Sequence, residues 1–179
     1  DDLSIAVIIS GLYLGARVPL NKSCRIVLGQ IYARPEVLAL AQKSAREDDV
    51  ELMGKIAWEA LRFHPNAPAL MRYAAKEQEI GGNGRKKRRI RAEQTLFVMS
   101  QSAKFDSRAV EDHYAFRTDR SMDTYMYFGY GLHTCYGNYV NRIEIPEVLM
   151  ALFRHTDIRP TGKVENEGPF PNRWAFHKG

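Results

Sequence analysis

The sequence predicts a mainly α protein with small β-sheets, an α+β arrangement, and three observations carry that prediction. Apolar residues recur at three- and four-residue steps over 20–32, 51–63 and 136–153, the period of helices with one buried face. Short extended segments bracket the glycine-rich turn Gly81-Gly82-Asn83-Gly84. At 179 residues and 45% hydrophobic content, the chain can bury the core of one ordinary domain.

Taken in order, the chain opens with Leu3, Ile5, Val7, Ile8, Ile9, Leu12, Tyr13 and Leu14, apolar almost all round, as in a helix buried on every side. Helical spacing continues from Leu20 to Tyr32 through Cys24, Val27, Leu28 and Ile31, so residues 1–33 form the first helical region. Pro35 then opens a short helix with Val37, Leu38, Leu40 and Ala41 inward. The strongest helix covers 51–63, where Leu52, Ile56, Glu59 and Arg62 cluster on the wheel and Pro65 supplies the stop. Residues 68–102 read as small strands with a hairpin, formed by Leu70–Ala75 and Thr95–Met99 around the glycine turn. Irregular chain follows over 103–134 and includes the aromatic cluster Tyr125–Tyr130. A last helix, about 136–153, carries Val140, Ile143, Val148, Leu149 and Leu152, with Pro146 as a kink. Gly168-Pro169-Phe170-Pro171 is turn chemistry before a short final strand.

Charge narrows the function. Lys and Arg exceed Asp and Glu by five, but six cations sit together at Arg85, Lys86, Lys87, Arg88, Arg89 and Arg91. Elsewhere acids and bases almost balance, so the spread of basic residues that nucleic-acid binding needs is missing. The run itself reads as a solvated hairpin tip, or as a dock for an acidic redox partner or anionic lipid. Two cysteines exclude a disulfide scaffold and fit a reducing, cytoplasmic compartment better than a secreted one. The longest uncharged apolar run, Leu3–Ala16, is short of the roughly 20 residues that span a bilayer. It follows two aspartates instead of a basic leader, so a soluble chain without a transmembrane segment is expected.

Chemistry concentrates in Phe128-Gly129-Tyr130-Gly131-Leu132-His133-Thr134-Cys135-Tyr136-Gly137. A lone cysteine stands on a glycine-rich loop directly before an apolar helix. The glycines permit positive φ and close backbone approach to a bulky ligand. The helix N-terminus offers amide N–H groups and the positive end of a dipole, which hold a thiolate. Phe128 can shield the sulfur from water.

This segment resembles the heme-ligating loop of the cytochrome P-450 family, F-G-x-G-x-H/R-x-C-x-G, and every fixed position is matched. Glu59-Ala60-Leu61-Arg62, followed by His64-Pro65-Asn66-Ala67-Pro68, is similar to the family's E-x-x-R pair and the sequence after it. At i, i+3 the carboxylate and guanidinium share a face. Ala115-Phe116-Arg117-Thr118-Asp119-Arg120 is similar to the end of the family's meander, with His113 where proline is usual. The resemblance implies the C-terminal half of the cytochrome P-450 fold, from the central I helix onward, truncated at its N-terminus. It implies heme b (iron protoporphyrin IX) with Cys135 as the iron ligand. Phe128, Gly129, Gly131 and Gly137 shape the loop, Arg72 and His133 meet heme propionates, and Glu59, Arg62 and Arg120 form a buried structural triad. His64, His113, His155 and His177 gain no role, and Cys24 reads as packing.

One departure bears on the chemistry. Counting back from Pro35 aligns Gly15-Ala16-Arg17-Val18-Pro19 with the family's A-G-x-D/E-T segment, which puts Val18 and Pro19 where an acid and an alcohol relay protons. Arg17 is then the only ionisable side chain nearby, a candidate anchor for a substrate carboxylate. Three functions follow: a monooxygenase acting on an apolar small molecule or fatty acid with a redox partner, a peroxide-driven peroxygenase or fatty-acid hydroperoxide isomerase, or a non-catalytic heme-binding fragment.

Overall fold

The computed structural model describes residues 1–82, 84–156, 158–160 and 176–178. Helix α1 spans Asp2–Tyr32, capped by the Asp1 carboxylate, which accepts from the Leu3 amide at 2.9 Å. It is continuous through Pro19. Proline removes one ladder hydrogen bond, and Asn66 braces this turn from outside by donating to the Pro19 carbonyl and the Ser23 hydroxyl, both at 2.8 Å. Helix α2 (Pro35–Arg46) starts on proline, whose fixed φ suits the first helical position. Helix α3 (Val50–Phe63) is capped by Asp49, which accepts from the Leu52 amide at 2.9 Å.

The chain divides into two compact units, Asp1–Asn66 with Tyr114–Gly179, and Ala67–His113. In the first, α1, α2 and the last helix α5 (Gly137–Phe153) all pack on α3. Val27, Ile31, Met53, Ile56, Ala57, Ile145, Leu149 and Met150 form its core, each at most 1% exposed. A short antiparallel pair, β5 (Ile158–Pro160) with β6 (Phe176–Lys178), belongs to the same unit, and the expected turn at 168–171 lies outside the described residues. The second unit holds two antiparallel ribbons, β1 (Leu70–Tyr73) with β4 (Thr95–Val98) and β2 (Gln78–Gly82) with β3 (Arg85–Ile90), followed by the single-turn helix α4 (Ser100–Ala103).

Four expectations need correction. The apolar N-terminal half of α1 is exposed: Leu3, Val7, Ile9 and Leu14 all lie open, and burial begins only near Ser23. Helix α1 is also long and apolar enough to cross a membrane by length and composition, because the helix runs on past Arg17 and Lys22 where the uncharged run stopped. The core helix of a soluble protein passes the same test. In α5 the buried face is Ile145, Pro146, Leu149, Met150 and Phe153, whereas Val140, Ile143 and Val148 are exposed. That helix is apolar on more than one side, so periodicity could not choose the face. Finally, Arg85–Ile90 is a strand and not a loop tip, since its backbone pairs with Gln78–Gly82, and Glu79 and the preceding Glu77 meet two of its cations.

Candidate functional site

The cysteine loop is built by its glycines. Gly129 and Gly131 adopt φ of 76° and 69°, left-handed values that a β-carbon disfavours. This turns the chain so that the Cys135 amide donates back to the Phe128 carbonyl at 2.8 Å. A single 3-10 turn, Gly131–His133, closes the loop, and the Thr134 hydroxyl donates to the Gly131 carbonyl at 2.8 Å. Cys135 is exposed, immediately before α5. Gly137 keeps the first turn of that helix clear: a β-carbon there would lie 3.4 Å from the Cys135 Sγ and 2.8 Å from the Asn141 Nδ2.

Exposed apolar side chains accompany the thiol in sequence. Leu132 and Tyr136 flank it, and Tyr139, Val140 and Ile143 continue on α5 at helical spacing from Tyr136. An accessible thiol among unpaired apolar surface, on a glycine-cleared cradle, fits a large flat cofactor bound through sulfur.

Behind the loop lies a buried charged cluster. Glu59 and Arg62, at i, i+3 on α3, are both fully buried, with Arg62 Nη2 2.7 Å from Glu59 Oε1. Arg62 Nη2 donates to Oε1 at 2.7 Å and Arg62 Nε to Oε2 at 3.0 Å, the two-pronged fork suited to a carboxylate, with Nε also 3.1 Å from Oε1. Arg120 Nε adds a contact from a second arginine, to Glu59 Oε1 at 3.2 Å, and both arginines donate to the Ala115 carbonyl. The structure therefore brings Glu59, Arg62 and Arg120 together. Two further donors come with them: the Arg117 amide at 3.1 Å and the Tyr125 hydroxyl at 2.9 Å, on Oε1 and Oε2.

Aromatic packing links this cluster to the loop. Tyr125 stacks on Tyr127 with centroids 5.6 Å apart, and Tyr127 stacks on Trp58 at 6.0 Å while donating to the Trp58 carbonyl. Phe128 meets Trp58 edge-on at 5.9 Å. Phe63 and Phe116 stack at 5.7 Å, with Arg34 and Arg62 each within 4.6 Å of the Phe63 centroid. Burial, then the Glu59 charge, pushes the Tyr125 hydroxyl well above the usual tyrosine range, so it stays a donor at all ordinary pH. Tyr125→Phe should cost about 1.5–3 kcal/mol, a hydrogen bond to a charged group, and denaturant unfolding reads it. A fully stable Tyr125→Phe protein would show that the arginines alone hold Glu59.

The remaining site candidates make contacts of their own. Arg17 lies on exposed α1, bonded to the Tyr13 hydroxyl and 5.7 Å over its ring. Arg72 is on β1 of the second unit and donates to the Met71 carbonyl at 2.8 Å. The His133 side chain lies outside what the structure describes. Sequence reasoning missed Tyr125, Tyr127 and Trp58 as supports; the alternation of Tyr125 and Tyr127, which puts both on one side of an extended segment, was the available signal.

No family model matches the chain. Its curated relatives include the steroid C26-monooxygenase of Mycolicibacterium smegmatis, 28% identical over 71% of this chain and 30% of that protein. Psi-producing oxygenase A of Emericella nidulans is 32% identical over 70% of the chain and 11% of its own length. Cytochrome P450 119 of Sulfolobus acidocaldarius is 30% identical over 68% and 32%. Among solved structures, cytochrome P450 CYP109Q5 of Chondromyces apiculatus superposes with a TM-score of 0.73 at 23% identity, covering 95% of this chain and 44% of that one. CYP109B1 of Bacillus subtilis gives 0.73 and 23%, covering 92% and 43%. The chain is similar in sequence to cytochrome P450 proteins, and over the span it covers it shares the fold of cytochrome P450 structures. That span is about a third or less of these curated relatives.

Proposed function

We propose that this chain contributes the heme-binding part of a heme-thiolate oxidoreductase, with Cys135 as the protein ligand to the iron of heme b. The observation that carries this is the exposed Cys135 thiol, on a residue whose backbone amide donates to the Phe128 carbonyl, between left-handed glycines and the cleared first turn of α5. When bound, the heme supplies an electron-rich iron whose thiolate ligand favours O–O cleavage. The chain's own residues do the rest. Cys135 presents its sulfur, Phe128 packs its ring on Trp58 and covers the loop, and the Glu59 cluster fixes the segment from which the loop departs. The C-terminal end of α1 belongs to the unit's core through Val27, Leu28 and Ile31, while the apolar stretch before Ser23 lies open. An apolar organic substrate accords with the steroid monooxygenase among the relatives. Reconstitution with heme tests the proposal: the reduced carbon monoxide adduct should show the red-shifted Soret band of thiolate ligation. A band at the position typical of histidine ligation overturns it.

A second reading concerns the oxidant. In the register counted from Pro35, Val18 and Pro19 occupy the relay positions, and α1 has no acid after Asp2. Arginine does not titrate near neutral pH, so Arg17 cannot donate the protons that dioxygen activation needs. It can bind a substrate carboxylate. Hydrogen peroxide or a lipid hydroperoxide already carries the reduced O–O bond. Product formed with peroxide alone should therefore at least match product formed with dioxygen, NAD(P)H and a reductase at equal heme concentration. Tight coupling of NAD(P)H to product with negligible peroxide-supported turnover restores the monooxygenase reading.

A further inference from the structure

Helix α1 is weakest at the turn that carries Arg17. Pro19 has no N–H, so the Gly15 carbonyl lacks the donor four residues on that a regular helix supplies, and helices bend at such points. Nothing stiffens the turn from its N-terminal side: residues 3–18 are exposed, and a β-carbon added to Gly11 or Gly15 would meet nothing within 4 Å. One residue holds the turn from its other side. Asn66 Nδ2 donates to the Pro19 carbonyl and to the Ser23 hydroxyl, both at 2.8 Å, and the Asn66 carbonyl accepts from Lys22 Nζ at 2.8 Å. Pro19, Lys22 and Ser23 stand at i, i+3 and i+4, so all three contacts fall on one face of α1. Together they resist both rotation of the helix and sliding along its axis. Asn66 is itself firmly placed. It follows the end of α3 at Phe63, the His64 amide closes that helix on the Ala60 carbonyl, and buried Pro65 fixes the backbone between them. Further back on α3, Glu59 anchors the helix in the buried charged cluster.

We propose that Asn66 is the positioning residue for Arg17. At about 100° per residue, Arg17 lies about 200° round the helix from Pro19, on the side of α1 turned away from the clamp. There its guanidinium donates to the Tyr13 hydroxyl, and among the described residues it has no acidic partner. A substrate carboxylate that pairs with Arg17 therefore meets a cation whose direction is set from the opposite face by Asn66, and through α3 by the Glu59 cluster. Groups that orient a ligand tolerate little displacement. The assignment rests on Arg17 being the carboxylate anchor and adds the residue that aims it.

Decanoate and 1-decanol, titrated calorimetrically into the full chain, provide the test. Their tails are alike, so exposed apolar surface on α1 takes up both, and the ratio of the two dissociation constants isolates the headgroup. A hydrogen-bonded charge pair should favour decanoate by roughly tenfold, and Arg17→Gln should bring the ratio close to one. Asn66→Ala keeps Arg17 but frees the turn, so most of the preference for decanoate should disappear while 1-decanol binds as before. Parallel weakening of both ligands, with a lower denaturant midpoint by circular dichroism, makes Asn66 merely structural and overturns the positioning role. Ser23→Ala removes one acceptor of the clamp and should fall between the parent and Asn66→Ala; it carries the test if Asn66→Ala does not fold. A preference that survives loss of the clamp but not Arg17→Gln overturns the positioning role alone. Equal binding of the two ligands by the parent, or a preference that Arg17→Gln leaves intact, overturns the Arg17 anchor and this assignment with it.

Discussion

Cys135→Ser is expected to abolish the red-shifted carbonyl Soret band completely while leaving the polypeptide folded. Serine preserves the backbone, so the amide hydrogen bond to Phe128 and the turn through Gly129 and Gly131 survive. What disappears is the soft, polarizable sulfur that an iron ligand of this kind needs. No second thiol can take over. The chain's other cysteine, Cys24, is on α1, where burial first and then the Glu144 charge push its thiol up to about 11, so it stays protonated and inert. Heme content and the carbonyl spectrum, measured beside circular dichroism, separate loss of the ligand from loss of the fold. A variant retaining the full band would remove Cys135 from the site.

The parts legible in the sequence are those whose chemistry is local. Ten consecutive residues specify the cysteine loop, and each glycine in it answers a backbone demand visible without tertiary contacts. Glu59 and Arg62 were legible for the same reason, since i, i+3 spacing places them on one face. Their other partners were harder. Arg117, Arg120 and Tyr125 lie 58, 61 and 66 positions beyond Glu59 in a segment without periodicity, and one contributes a backbone amide that has no side-chain signature. Arg120 was reachable only through the family resemblance. The basic run was misread for a related reason: the backbone that makes it a strand, Gln78–Gly82, is the neighbouring strand, and the acids that meet its cations, Glu77 and Glu79, lie at or just before that strand. In α5, apolar residues on several sides left the choice of buried face to packing, and packing selected Ile145, Leu149 and Phe153.

Glu59→Ala is expected to cost most of the stability of the first unit. Both arginines that converge on this carboxylate are withdrawn from water, their side chains 0% and 6% exposed. Removing the carboxylate leaves two cations facing each other around the Ala115 carbonyl, and strands the Arg117 amide and the Tyr125 hydroxyl without this acceptor. Breaking a buried ion pair from one side costs about 3–5 kcal/mol, against a total of about 5–15 kcal/mol for a typical domain. Glu59→Gln separates the contributions. It keeps one oxygen acceptor and the side-chain shape while removing the charge, so its loss should fall between the parent and the alanine variant. Chemical denaturation followed by circular dichroism gives the order, and heme uptake reports whether the loop still forms. The ordering decides between structure and catalysis, because neither arginine nor Glu59 reaches the surface where a substrate could meet it. If Glu59→Ala unfolded at the parental denaturant midpoint, bound heme fully and lost only turnover, the cluster would have to be reassigned to the reaction itself.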